Sequence, residues 1–174
     1  MRVRSPLRWI SILPAVCVLA IAVSLVAGGF HLSLEKPVKE SSLQTKDAVL
    51  LVRLYGCHQP EDALVSATAE GLVKSLRETI DLKLHPVSKG LFAIQRQWPK
   101  EGAWLVAVRS TYLGAHRSAL LELAPDGTVK LGDQAPGKVP QVKNLFRELL
   151  ADDIDKGLQD LAKKRFAASH RASN

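Results

Sequence analysis

Apolar and polar positions follow three regimes along this chain. Residues 9–30 carry no charge, residues 47–131 place apolar side chains at every second position in short segments, and from Pro140 onward they recur every third or fourth residue. The first regime predicts a membrane-length helix, because its 22 residues at about 1.5 Å each match a hydrocarbon core of about 30 Å. The second predicts half-buried antiparallel strands, whose side chains alternate between faces. The third predicts an amphipathic helix.

The alternating region resolves into seven segments separated by Gly, Pro and Asp at intervals of roughly ten residues. Ala48, Leu50, Val52 and Leu54 share one face of 47–55, and Gly56 with Pro60 end it. Segment 64–70 turns Val65, Ala67 and Ala69 inward and Ser66, Thr68 and Glu70 outward. Ile80, Leu82 and Leu84 mark 77–85 as a single strand. Segments 91–98 and 103–112 form a pair across Pro99-Lys100-Glu101-Gly102, with Trp104, Val106 and Val108 on one face. Ala119, Leu121 and Leu123 define 117–124, which Pro125-Asp126-Gly127 turns back into 128–131. Proline presets φ in such turns and glycine accepts a positive one. Seven short strands of this kind predict a mainly β fold, an immunoglobulin-like antiparallel β sandwich, between an N-terminal hydrophobic helix and a C-terminal amphipathic helix.

Val142, Phe146, Leu149, Leu150, Ile154, Leu158 and Leu161 form the stripe of the last helix, predicted to start at Pro140 and to run about 24 residues. Its stripe is expected to pack on the sandwich, or else on a helical partner or a second copy. Gly157 inside it, at a cost of about 1 kcal/mol relative to Ala, argues against a free coiled coil. Residues 31–46 are polar, contain Pro37 and follow neither period, so they read as a tether. The expected organisation is 1–30 signal peptide or membrane anchor, 31–46 tether, 47–132 sandwich, and 133–174 loop, amphipathic helix and basic tail.

Charge changes this picture only at the ends. The formal net charge is +7, but seven of the 24 basic residues lie at 1–8 and 163–171, leaving 17 against 17 acidic ones in between. Nucleic-acid binding needs a basic face on the folded body, so it is not expected. Arg2, Arg4 and Arg8 stand before the uncharged segment, an arrangement that keeps them cytoplasmic and exports the chain beyond residue 30. The segment is longer than a signal core of about 7 to 15 residues, yet Ala27-Gly28-Gly29 and Val26-Ala27-Gly28 are triplets that signal peptidase accepts. The protein is thus expected in the cell envelope, anchored in the cytoplasmic membrane through residues 9–30 with an exported C-terminal domain, or secreted or periplasmic after cleavage. Val16 before Cys17 speaks against a lipoprotein. The basic cluster at 163–171 reads as a solvated helix end, or as a contact with anionic headgroups or cell-wall polymers.

With Cys17 in the hydrophobic segment, Cys57 is the single cysteine of the exported part, which leaves burial, pairing with another chain, or ligand binding. Cys57 with His58, between the first two strands, is the candidate metal site, since thiolate and imidazole suit copper or zinc. His31, His85 and His116 are the remaining imidazoles before the tail. Trp98 and Trp104 are expected as core and rim, one of them filling the space between the sheets, with a sugar-stacking platform as the alternative. Asp152, Asp153 and Asp155 lack the glycine turn of a calcium loop. No Gly-x-Ser-x-Gly elbow, His-Glu-x-x-His pair or phosphate-binding glycine loop occurs, so no catalytic residues, no cofactor and no enzyme activity are expected.

The run Ala63-Leu64-Val65-Ser66-Ala67-Thr68-Ala69-Glu70-Gly71, then Ile80-Asp81-Leu82-Lys83-Leu84, Gly90-Leu91-Phe92-Ala93-Ile94 and Trp98-Pro99-Lys100-Glu101-Gly102-Ala103-Trp104 resembles the YtkA-like and FixH-like domains of bacteria. The likeness covers residues 47–112. It implies a membrane-tethered, extracytoplasmic immunoglobulin-like sandwich, of which some relatives serve copper delivery or oxidase assembly. The methionine ligands of copper carriers are missing, since Met1 is the one methionine. The expected function is a non-catalytic interaction module binding an envelope protein or cell-wall component, with a copper-handling accessory role through Cys57 and His58 as the alternative.

Overall fold

The computed structural model describes residues 29–37, 47–56, 59–74, 76–124, 126–129, 131 and 142–172. Two antiparallel sheets face each other and a helix covers the outside of one. Strand β1 (His31–Glu35), β2 (Ala48–Tyr55), β6 (Leu91–Gln95) and β5 (Leu84–Ser88) form a four-stranded sheet in the order β1-β2-β6-β5. Strands β4 (Leu76–Asp81), β3 (Leu64–Val73), β7 (Ala103–Tyr112), β8 (Ala115–Glu122) and β9 (Val142–Leu145) form a five-stranded sheet in that order. Helix α1 (Ala151–Ala172) completes the third layer.

The alternation predicts the inner faces correctly. Leu50, Val52, Leu54, Ala67, Ala69, Trp104, Val106, Val108, Ala119 and Leu121 meet between the sheets. On β7 the intervening residues are apolar too, and Ala103, Leu105 and Ala107 pack with Leu120 under Leu149, Ile154, Leu158 and Leu161 of α1. A strand covered on both faces shows an unbroken apolar run, and Ala103-Trp104-Leu105-Val106-Ala107-Val108 is one, buried throughout.

Among the described residues nine strands replace the seven expected, through four corrections. First, His31–Glu35 is β1 and not tether: it pairs with β2 from His31↔Tyr55 to Glu35↔Leu51, and an ion pair of Arg53 Nε with Glu35 Oε1 at 2.6 Å spans the two strands. Second, residues 77–85 are two strands. After Asp81 the chain leaves β3 and joins β6, and the Gln97 side chain holds the corner, accepting from Lys83 N at 2.9 Å and donating to Lys83 O at 3.2 Å. Ile80, Leu82 and Leu84 all still point into the core, so the period of two runs through the corner unchanged.

Third, residues 128–131 make a single bridge, Leu123↔Val129, after a tight turn in which Gly127 N donates to Ala124 O at 2.8 Å. Fourth, the helix starts at Ala151 and not at Pro140, because Val142–Leu145 extends the sheet as β9 on β8. Val142, Phe146 and Leu149 happen to follow a helical spacing across a strand and a turn. Asp153 sets the true start: its carboxylate accepts from Leu150 N at 3.1 Å, the back-reaching half of a capping box. The predicted N-terminal helix lies outside the described residues, among which no helix is long and apolar enough to cross a membrane.

Candidate functional site

Side chains on the outer face of the five-stranded sheet divide along the strands. Toward Leu72 and Ala103 the face is apolar and lies under α1. Gly157 permits this approach, since a Cβ there would stand 2.8 Å from Leu105 Cδ1 and 3.1 Å from Leu120 Cδ2. At the middle of the strands the face turns polar. Glu70, expected outward, is indeed on this face but buried, and its carboxylate accepts from Thr68 Oγ1 at 3.0 Å and Thr79 Oγ1 at 2.7 Å. Arg77 lies 3.6 Å from the same carboxylate and bonds Asp155 of α1. Glu70 is therefore a hydrogen-bonded acceptor under the helix edge, consistent with the rule that buried charges are paired.

Beyond that network, among the described residues, the face is left uncovered at Ser66. Arg109 donates from Nη1 to Thr68 Oγ1 at 3.2 Å and pairs with no carboxylate among the described residues. Register places Ser66 and Ser118 beside Arg109, and His116 opposite Thr111. Thr111 Oγ1 and His116 Nδ1 are 3.1 Å apart. Ser66 is exposed, whereas Arg109, Thr111 and His116 are half-buried. A hydroxyl beside an imidazole is the start of a nucleophile and base pair, but the described residues supply no third group to orient the ring, as such catalysis requires. The surface offers hydrogen-bond donors and a guanidinium that no carboxylate among the described residues neutralises.

Cys57 and His58 lie outside the described residues. Their flanks, Gly56 and Gln59, adopt positive φ of 142° and 40° at the end of the sandwich where β2 stops and β3 starts. His31, the register partner of Tyr55 and stacked on its ring at 5.3 Å, belongs to the same end. His116, the second residue of β8, is at that end as well, while His85 of β5 sits opposite Ala93. Among the described residues no three His, Cys, Asp or Glu side chains gather as a metal site. Trp98 and Trp104 are core residues and not a stacking platform: both are buried, with Trp98 Nε1 donating to Gly127 O at 2.9 Å and Trp104 Nε1 to Glu101 O at 2.7 Å.

The acidic cluster at the start of α1 is structural. Asp153 forms a fork with Arg147, whose Nη1 and Nη2 donate to its two carboxylate oxygens at 2.7 and 2.8 Å. Those bonds, aided by Leu150 N, lower its pKa from 3.8 to about 2. Asp155 serves Arg77 and Asp152 is exposed. In the basic tail Lys164 pairs with Glu122 at 2.6 Å and Arg165 donates to Ala124 O at 3.4 Å. Sequence reasoning missed the Arg109 surface because its members come from three strands and share no local spacing. The outward series Ser66, Thr68, Glu70 was the available sign of its polar face.

Compared with models of protein families, with curated proteins and with solved structures, the chain matches none.

Proposed function

We propose that the chain is a non-catalytic interaction module of the cell envelope, held at the cytoplasmic membrane by the uncharged segment, or secreted or periplasmic if that segment is cleaved. In this reading the sandwich is immunoglobulin-like, akin to the YtkA-like and FixH-like domains, and its partner is an envelope protein or a cell-wall component. The supporting observation is the open polar half of the outer sheet face. Arg109 stands there half-buried with a neutral hydrogen bond and no carboxylate among the described residues, and a fixed guanidinium of this kind recognises a carboxylate or phosphate on a partner.

The test is photo-crosslinking in intact cells from a probe at Ser66, beside Arg109, with a probe at the exposed Gln159 of α1 as control. Adducts from position 66 that vanish with Arg109→Glu, and none from 159, are expected. Equal adducts from both positions, or none from 66, would reject this surface.

A second reading, a copper-handling accessory protein using Cys57 and His58, draws support from His31 and His116 sharing the end of the sandwich that carries Gly56 and Gln59. Copper or zinc stoichiometry of the purified chain and of Cys57→Ser decides it. Absence of bound metal from both ends that reading.

A further inference from the structure

We infer that the end of the sandwich reached by Gly29 and Phe30 is seated on a phospholipid bilayer, with Leu113, Phe146, Leu64 and Tyr55 entering the headgroup layer. The inference rests on the proposed anchor and adds an orientation to it. Its starting point is the loss of the tether. Phe30 is buried in the core, its carbonyl accepts from Arg117 Nε at 2.6 Å, and β1 begins at the next residue. Gly29 packs so closely on the β2 end that a Cβ on Gly56 would lie 2.3 Å from Gly29 O. Gly29 and Phe30, read in the sequence as the end of the anchor, thus belong to the domain, and the uncharged residues left for the membrane, 9–28, adjoin it directly in sequence. Even the pair Ala27-Gly28, fully extended, reaches only about 7 Å, so a membrane-embedded segment brings this end of the domain to the bilayer surface.

That end is apolar where the molecule has no internal use for it. Leu113 is 85 % exposed at the tip of the β7–β8 hairpin, Leu64 78 %, Phe146 71 % and Tyr55 48 %. Leu113 has a φ of 46° and Gly114 of 78°. Two successive positive φ values suit Asn-Gly or Asp-Gly in a hairpin turn, and a leucine there is strained. It recovers nothing by packing on its own chain, since it is exposed. At the other end of the sheet the β3–β4 hairpin puts Lys74, a polar residue, at its left-handed position with φ 49°. An exposed, strained leucine is accounted for when something outside the molecule covers it.

Arg117 identifies the covering as phospholipid. Its guanidinium lies between two aromatic rings, 6.0 Å from the Phe30 centroid and 5.1 Å from that of Phe146, and its hydrogen bonds go to the carbonyls of Phe30 and His116. Among the described residues no carboxylate neutralises it. A guanidinium framed by aromatic rings beside exposed leucines matches a bilayer interface, where aromatic rings and arginine sit at headgroup depth and phosphate is the counter-ion. Glu61 faces Lys89 at 3.7 Å on the same end, so the charge there is mixed. The apolar groups carry the contact, and weak insertion suffices because the anchor holds the domain at high local concentration.

The test uses the full chain carrying Cys17→Ser and Cys57→Ser, reconstituted into phosphatidylethanolamine and phosphatidylglycerol vesicles, with a nitroxide at Leu113→Cys or at Leu76→Cys. Leu76 is similarly exposed, at 71 %, and pairs with Val73 at the far hairpin. Several-fold lower access of a water-soluble nickel chelate to position 113 than to 76, with higher access of oxygen, is expected. Leu113→Asn with Phe146→Ser should keep or raise the melting temperature while a nitroxide at Leu64→Cys becomes water-accessible. Equal chelate access at 113 and 76 in a chain that resists carbonate extraction would overturn the seating and leave the anchor standing. Low access of both reagents to 113 would mean a protein contact and overturn the lipid assignment. Extraction by carbonate would overturn anchor and seating together.

Discussion

Gly71 lies opposite Trp104 on the inner face of the five-stranded sheet, and the indole occupies the space that a side chain would need. A Cβ there would stand 2.4 Å from Trp104 Cε3 and 2.5 Å from Cζ3. Trp104 cannot withdraw, because it is wholly buried and its Nε1 is committed to Glu101 O. Overpacking of a fixed core costs about 1 to 3 kcal/mol, and Gly71→Ala is expected at the upper end of that range, read as a lower urea midpoint with unchanged slope. Gly71 closes a strand pattern in the sequence and reads there as a terminator, yet β3 continues to Val73. The glycine marks a close approach, which only the partner strand reveals. Glu70 is similar: its outward position was legible, but its burial comes from Thr68, Thr79 and Arg77 closing around it.

At the scale of elements, α1 depends on one carboxylate. Asp153 caps Leu150 N and grips Arg147, while Ser118 Oγ donates to Arg147 O at 3.0 Å and ties the same turn to β8. Its pKa is about 2 in the fold against 3.8 unperturbed. A lowered folded pKa means that the contribution is fully present above the unfolded value and disappears as the pH falls from about 5 toward 2. The contribution is about 1 to 2 kcal/mol once the half-exposed setting of Arg147 is discounted. Asp153→Asn should lower stability by that amount at pH 7 and flatten the loss of stability between pH 5 and pH 2, measured by denaturant titration at each pH. The helical stripe from Ile154 to Leu161 was readable in the sequence. Its start was not, because β9 and the turn after it repeat the helical spacing by coincidence, and only pairing with β8 separates them.

For the whole molecule, α1 is a layer of the core and not an appendage. Removing residues 140–174 takes away β9 and uncovers Leu105, Ala107 and Leu120. Such a truncation is expected to aggregate, or to bind a hydrophobic dye with a broadened unfolding transition, so loss of a partner after truncation would report folding. A cooperative transition like that of the full chain would refute this view of the helix. The helix also sets an axis. It starts near Arg147 and Ser118, and the ion pair of Lys164 with Glu122 and the bond of Arg165 to Ala124 O place its basic part toward the far end of β8.

The amino-acid sequence by itself determined the mainly β class, the inward-facing residues of most strands, the burial of a tryptophan between the sheets and the amphipathic face of the last helix. These stem from periodicity and side-chain size, which are local properties. Tertiary structure decided the sheet corner at Leu82 and Lys83, the strands at 31–35 and 142–145, the burial of Glu70 and the open setting of Arg109. Each of these depends on which backbone lies alongside, and a period of two is the same whichever sheet a strand joins. The pattern of residues along the chain says which faces must be covered; only the packed molecule says by what.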